Sequence, residues 1–384
     1  MAFTGKATYS AGATLPELTE DVSDIVGIVT PYETPLLNAL GDPMRAATST
    51  HHEWLEDSLL PNRGEIDDNT FVDAESDTEF TVMNGSRFRV GDQIQAEDSE
   101  ELMLVVGVDG NDLTVVRGYA GTLSAALVDG QVLNILGNAA LEGDEKPETR
   151  FTNRVRKGNY TQIFTATVEV SGSDLAARQA GVADELDYQK QERLRELLRD
   201  LENTVINGGQ PASTPEGSSA VRRTMQGLLG HMTTNRFYPG QSGMPSGTDL
   251  DEEKLNWALR QIWESSNGHV DLIVVNGFQK RQINAFMSSN RAFGAADQKY
   301  SDLVSTYESD FGLCRIVVSR WVPRDAVLLL DSSRISVLPL SGRSFHYKPL
   351  APTGDFECGQ LIGEYTVELK NEEAHGCIRA LTAA

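Results

Sequence analysis

One long helical stripe restricts the fold more than any other feature of the sequence. Val182, Leu186, Leu194, Leu197, Leu201 and Val205 recur at helical spacing, with a polar gap near Lys190. Glu, Gln, Arg and Leu fill the positions between them, and all favour helix. Asn207-Gly208-Gly209 then stops it. A helix over residues 182–206 spans roughly 37 Å at about 1.5 Å per residue. With so narrow an apolar stripe it needs a sheet against one side and keeps a polar flank. That makes a beam, suited to a subunit that carries load across its own width. A surface helix of an enzyme has the same pattern, so the flanking segments have to decide.

Those segments mix strand and helix signals, which makes the chain α+β. Residues 86–137 read as a small antiparallel β module: Phe88, Val90 and Gly91-Asp92 lead into 102–106, Asp109-Gly110-Asn111 turns, and 113–116 and 132–136 follow. Residues 164–170 are strand-like, and Ser173 is placed to cap a helix. Residues 210–250 are rich in Pro, Gly and Ser around a short apolar piece at 225–229. Asp251 is an N-cap for a helix carrying Leu255, Ala258, Ile262 and Trp263. A buried strand at 270–275 follows, and Asn276 can cap a helix with Ile283, Phe286 and Met287. The last third reads as strands at 314–319, 326–330, 335–338 and 365–369, with a further one at 377–378.

The first 85 residues are different. Residues 1–45 carry short apolar pieces such as 25–29, and Pro31 and Pro35 disfavour a long helix. They read as an arm that needs another surface. Residues 48–84 alternate polar and acidic positions with little core of their own. The period of two in Asp73, Glu75, Asp77 and Glu79 places four carboxylates on one face of a strand, either a solvated or intersubunit face or a calcium site. No calcium-loop spacing surrounds them. Both segments are expected to be ordered mainly by neighbouring copies, with the basic run at 150–157 as the acidic row's partner.

The charge is −23, from 33 basic and 56 acidic residues in 384. Such a surface repels a phosphate backbone, which argues against sequence-reading of nucleic acid but not against enclosing it. Cys314, Cys358 and Cys377 are odd in number and lack CxxC spacing, as expected for reduced thiols in a cytoplasmic product. The N-terminus has no apolar core typical of a signal peptide, and no run of eighteen apolar residues suits a membrane span. HExxH, GxSxG and GxGxxG are absent, and the loop at 117–122 lacks the GxxxxGK of a phosphate cradle. His51 and His52 are adjacent but point to opposite faces of a strand. His375 near Glu373 and Cys377 could suggest a thiol nucleophile or a metal ligand, but such isolated proximity is common in a polar turn, and it reads as such a turn. Asp331 reads as a turn acceptor for Ser332 and Ser333, and Trp263 and Trp321 as core or interface aromatics. The residues therefore point to no catalytic, cofactor-binding or metal site.

From Tyr307 the chain reads YESDFGLCRIVVSRWVPRDAVLLLDSSRISVLPL, then FHYKPLAPTGD and GQLIGEYTVELKNEEAHGCIRAL. Together with DEEKLNWALRQIWESSNGHVDLIVVNGFQKRQIN and PYETPLLNAL, this resembles the major capsid proteins of tailed phages with the HK97-type fold, in the SU10-like family. The likeness covers essentially the whole chain and rests on the combination of pieces.

The resemblance implies an HK97-type capsid fold with a long spine helix, an extended loop and an inserted small β module. It assigns residues 1–45 to the N-terminal arm, 46–160 to the extended loop with the module at 86–137, and 161–215 to a peripheral domain holding the spine at 182–206. Residues 216–335 become the axial domain, and 336–384 strands returning to the core. It implies a subunit of an icosahedral head, built of hexamers and pentamers, assembled in the bacterial cytoplasm around double-stranded DNA. Expected partners are a separate scaffolding protein, since no coiled-coil segment precedes the arm, a portal and a decoration protein. No catalytic motif comes with the family. A tail, baseplate or decoration protein is the alternative, supported by the portable β module; a cytoplasmic hydrolase is a distant third.

Overall fold

In the computed structural model the long stripe is one helix of 23 residues, Glu185–Asn207. The structure describes residues 33–57, 61–71, 73, 75–143, 154–176, 185–266, 268–290, 306–351 and 354–383. Val182 and Met287 fall outside what is described of side chains. The chain divides into two compact units, Met1–Glu56 with Arg156–Ala384, and Asp57–Val155.

In the first unit, α1 (Pro35–Leu40) and β1 (His51–Glu56) come first, and β1 pairs with β8 (Val155–Tyr160) as a two-stranded ribbon. Next are β9 (Gln162–Ser171), α2 (Gly172–Ala176) and the long helix, α3. The cap of α2 is the Ser171 hydroxyl, which accepts the Asp174 N–H at 3.2 Å; Ser173, the expected cap, lies inside the helix. Then come α4 (Leu228–His231), β10 (Arg236–Phe237), α5 (Glu252–Ser265), β11 (Leu272–Val275) and α6 (Gly277–Asn290). The remaining strands are β12 (Thr306–Ser309), β13 (Gly312–Val318), β14 (Val327–Leu330), β15 (Ile335–Pro339), β16 (His346–Leu350), β17 (Phe356–Leu369) and β18 (Gly376–Ile378).

Helix α3 packs on β9 and β17. Its buried face is Leu194, Leu197, Leu198, Leu201, Glu202, Val205 and Ile206, wider than the stripe read from sequence. Strand β17 is fourteen residues long, not the five expected. One edge pairs with β9 from Phe356 to Tyr365; the other pairs with β16 over Cys358 to Ile362 and with β15 over Tyr365 to Leu369. Leu361, Val367 and Leu369 pack into the core with α3, while Glu364, Thr366 and Glu368 alternate with them and are also buried.

A second sheet of six strands runs in the order β10-β18-β14-β11-β13-β12. All four residues of β11 and of β14 are buried. Their continuous apolar runs reflect cover on both faces: Leu272, Val274, Leu328 and Leu330 join the core of α3, while Ile273, Val275, Val327 and Leu329 pack in a second core with α5 residues Leu255, Ala258 and Ile262. Strands β11 and β13 are parallel, and α6 lies in their crossover. Asp251 caps α5 as expected, accepting the Lys254 N–H at 2.8 Å.

The second unit is a six-stranded β structure: β2 (Arg63–Glu65), β3 (Glu79–Thr81), β4 (Asp92–Ala96), β5 (Leu102–Asp109), β6 (Asp112–Val116) and β7 (Val132–Asn138), ordered β2-β7-β4-β5-β6-β3. An Ile66–Val82 bridge joins the two ends of that order and closes it into a barrel. Ile66, Phe80, Val82, Phe88, Ile94, Met103, Val105, Leu113, Val115 and Leu133 fill the inside. Gly110, at φ +63, makes the tight two-residue hairpin between β5 and β6.

The barrel corrects two expectations. It begins near residue 63, not 86, because β2 and β3 supply its closing strands and Ile66, Phe80 and Val82 belong to its core. Strands of three residues are too short to show a period. The acidic row is not one strand face: the Asp73 carboxylate accepts the Glu75 N–H at 3.2 Å and the Ser76 hydroxyl at 2.7 Å in a turn, and only Glu79 enters a strand. Residues 33–47 likewise dock on their own chain instead of waiting for a neighbour, with Leu36 and Ala47 fully buried. Residues 1–32 lie outside the described residues.

Candidate functional site

The residues that sequence reading singled out for chemistry do not converge. His51 stacks on Tyr160 with ring centroids 4.3 Å apart, while His52 Nε2 sits 2.9 Å from the Glu368 carboxylate. Asp331 accepts the Ser333 N–H at 3.1 Å and the Ser333 hydroxyl at 2.5 Å, as expected. Ser332 does not join it but donates to Asp271, its N–H at 2.7 Å. Burial pushes the Asp331 carboxyl up, and the donors from Ser333 and His269 with Arg334 outweigh it, leaving the group below the usual carboxylate range.

His375 and Cys377 are both fully buried, and Glu373 is exposed. His375 Nδ1 accepts the Asp331 N–H at 3.1 Å and Nε2 faces the Lys370 carbonyl at 3.3 Å, which fixes a neutral ring protonated at Nε2. Burial holds that imidazole down to about 4. Burial pushes the Cys377 thiol up, and the Cys314 thiol up to about 11. A nucleophilic thiol needs the opposite shift. Among the described residues there is no group of three or more His, Cys, Asp or Glu able to hold a metal ion.

The structure builds something else: carboxylates, mostly buried, that gather donors from distant segments. Glu368 on β17 meets Arg45, His52 at 2.9 Å and Lys370 at 3.3 Å. Burial pushes its carboxyl up, yet His52, Arg45 and Lys370 prevail and hold it down to about 2. Glu364, two turns of the pleat earlier, meets the Thr161 hydroxyl at 2.5 Å, Arg223 at 2.5 Å and Arg343 at 2.7 Å. The polar face of β17 is thus a seat to which four separate segments are pinned, those of Arg45 with His52, Thr161, Arg223 and Arg343.

In the barrel, Glu101 takes a two-pronged contact from Arg117, 2.8 Å from Nε and 2.8 Å from the second nitrogen. It also accepts the N–H groups of Gly118 at 3.0 Å and Ala125 at 2.8 Å. The glycine-bearing loop thus gives one amide, that of Gly118, to this carboxylate, while the Gly121 and Thr122 N–H groups close the loop on the Gly118 and Tyr119 carbonyls. No periodic signal marks such residues, so sequence reading missed them.

Part of the surface is apolar. Trp263 is 60% exposed beside Phe311, ring centroids 5.7 Å apart, and Leu313 is equally exposed. On the barrel, Leu123 is 89% exposed, with Val106 and Val116 also outside.

A family model described as SU10 major capsid protein matches residues 3–382. The chain belongs to that family. It is also 24% identical over 302 residues to the major capsid protein of Escherichia phage Phieco32, covering 67% of this chain and 83% of that one. Among solved structures, it is similar to one from Mycobacterium phage Bobi, with 16% identity, 63% and 79% of the two chains covered and a TM-score of 0.42. The holo-SrpI encapsulin complex of Synechococcus elongatus is similar at 10% identity, 61% and 79% coverage and a TM-score of 0.44. As a member of the SU10 major capsid family, the chain has the α+β HK97-type fold, with the barrel inserted before β8. It is a structural shell protein that associates with copies of itself, and its place is the capsid of the virion.

Proposed function

We propose that the chain is the principal subunit of an icosahedral tailed-phage head, assembling as hexamers and pentamers and enclosing double-stranded DNA. The observation that carries this reading is the match to a major capsid family over residues 3–382. The net charge of −23 supports it, because a container wall gains by not adhering to the polyanion it surrounds. Assembly proceeds in the host cytoplasm, where three free cysteines stay reduced. The partners are a separate scaffolding protein, a portal and a decoration protein.

In this reading residues 1–45 are the arm, 46–160 the extended loop bearing the barrel, 161–215 the peripheral domain, 216–335 the axial domain and 336–384 the returning strands. Exposed Trp263 and Leu313 belong to contacts between copies. Acidic residues Asp73, Glu75, Asp77 and Glu79 steer onto the basic run 150–157 of a neighbour, so raised salt slows assembly without unfolding the subunit. Each contact is modest, and closure over many copies makes the shell stable.

The test is sedimentation and negative-stain imaging of the purified chain, alone and with a scaffolding protein of the same phage. Closed shells support the reading. Stacked rings or tubes under both conditions favour a tail component and overturn it.

A further inference from the structure

Glu202 is a glutamate on the buried face of the long helix, between Leu201 and Val205, and it is fully buried. An ionised carboxylate there costs several kcal/mol unless donors surround it. Glu101, Glu364 and Glu368 each meet an arginine. Glu202 has no ion pair among the described residues. Its acceptors are filled by dipoles alone: the N–H of Leu36 at 3.0 Å, the N–H of Leu37 at 2.9 Å and the hydroxyl of Ser319 at 3.2 Å. Burial accordingly pushes its carboxyl above the usual range, and the three hydrogen bonds only partly pull it back.

Those donors join three parts of the chain that are far apart in sequence. Leu36 and Leu37 lie in the first turn of α1, Ser319 just beyond the end of β13, and Glu202 on α3. The α1 segment is held at further points. Leu36 is fully buried in the main core. Trp321 Nε1 donates to the Glu33 carbonyl at 3.2 Å, and Arg315 donates to the Ala39 carbonyl at 3.0 Å. Further along, the Ala47 N–H donates to the Pro339 carbonyl at 2.8 Å, and the Ser341 N–H to the Ala47 carbonyl at 2.8 Å. Met44, between these anchors, is fully exposed. Residues 33–47 therefore run over the body as a strap fixed at both ends.

We propose that this strap is already closed on the free subunit and that Glu202 is its clasp, one carboxylate fastening the strap, the long helix and the end of β13 together. The chemistry explains why a glutamate occupies an otherwise apolar face. A leucine would fill the space and leave two N–H groups of α1 buried without acceptors. An arginine-paired carboxylate would not need the strap at all. Because its compensation comes from the strap, opening the strap leaves Glu202 to find water, and truncating Glu202 leaves the strap's amides unpaired. The two are coupled in both directions. The consequence for assembly rests on the shell-subunit reading: each copy enters the lattice with its strap preset from Glu33 to Ala47.

Hydrogen exchange read by mass spectrometry on the unassembled, full-length subunit tests this. The expected result is slow exchange at Leu36 and Leu37 in the wild type. In Glu202→Ala exchange there accelerates by about tenfold or more, a factor that corresponds to about 1.4 kcal/mol. Amides 194–201 of the long helix keep their protection. Ser319→Ala, which removes one donor of three and leaves the core intact, gives a smaller acceleration in the same peptide. Free exchange of residues 33–40 in the wild-type subunit overturns the proposal. So does unchanged exchange there in Ser319→Ala and Glu202→Ala, or loss of protection in the helix together with the strap. Sedimentation and imaging of the wild-type chain with its scaffolding protein separate this from the shell-subunit reading: stacked rings or tubes count against that reading and leave the strap result standing.

Discussion

Mild acid should destabilise this subunit through His375, and the size of the effect can be worked from its surroundings. The ring is fully buried, its Nδ1 is occupied by the Asp331 N–H, and burial holds the imidazole down to about 4 from the ordinary 6.5. In the unfolded chain the same histidine takes up its proton near 6.5. Between these values the unfolded state binds more protons than the folded one, so stability falls as pH falls through that window. At about 1.4 kcal/mol per pH unit, the loss from His375 is roughly 3 kcal/mol by pH 4. Protonating Nδ1 also sets a new N–H against the N–H of Asp331. Urea unfolding at steps from pH 7 to pH 4 measures the effect, on wild type and on His375→Gln, which cannot titrate. The stability difference between the two proteins should shift by about 3 kcal/mol across the window, in favour of the variant at low pH. His231, also held at about 4 by burial, keeps the variant's own curve from being flat. A difference independent of pH would refute the reasoning.

Three further outcomes follow from packing and pairing. Leu197→Ala removes a side chain buried between α3 and the sheet and should cost about 2–5 kcal/mol in denaturant unfolding. Arg117→Ala leaves Glu101 buried with its charge uncompensated and should destabilise the barrel by about 3–5 kcal/mol, seen as early melting of that unit alone. Replacing residues 63–138 by a short turn should leave a cooperative thermal transition for the rest of the subunit, because the barrel's core is made entirely of its own residues. Global loss of cooperativity in that variant would show that the barrel is not an independent folding unit.

How much of this was legible in sequence depended on the length of the signal. The long helix, the Asp251 cap, and the apolar strands β11 and β14 announce themselves by period and by continuous apolar runs. Strands β2 and β3, three residues each, carry no period, so the barrel looked shorter than it is. Strand β17 was cut to five residues because its first half alternates polar and small groups, and its acidic face reads as exposed. Glu202, Glu364 and Glu368 break the same rule in three places: each is a buried glutamate, and each has a partner more than 100 residues away. Only the fold brings such partners together. The acidic row at 73–79 failed in the opposite way, since a period of two was present while Asp73 closed a local turn. The apolar surface at Trp263 and Leu313 was partly legible, as an aromatic suited to core or interface, and the structure leaves it outside.

The central claim, that this chain forms the shell, is tested most directly by cryo-electron microscopy of purified particles at a resolution that shows side chains. The account predicts that the repeating lattice of the head is filled by this chain, with the helix Glu185–Asn207 lying on the sheet of β9 and β17 in every copy. A lattice built from another protein, with this chain confined to the tail or to the outer surface of the head, would contradict it.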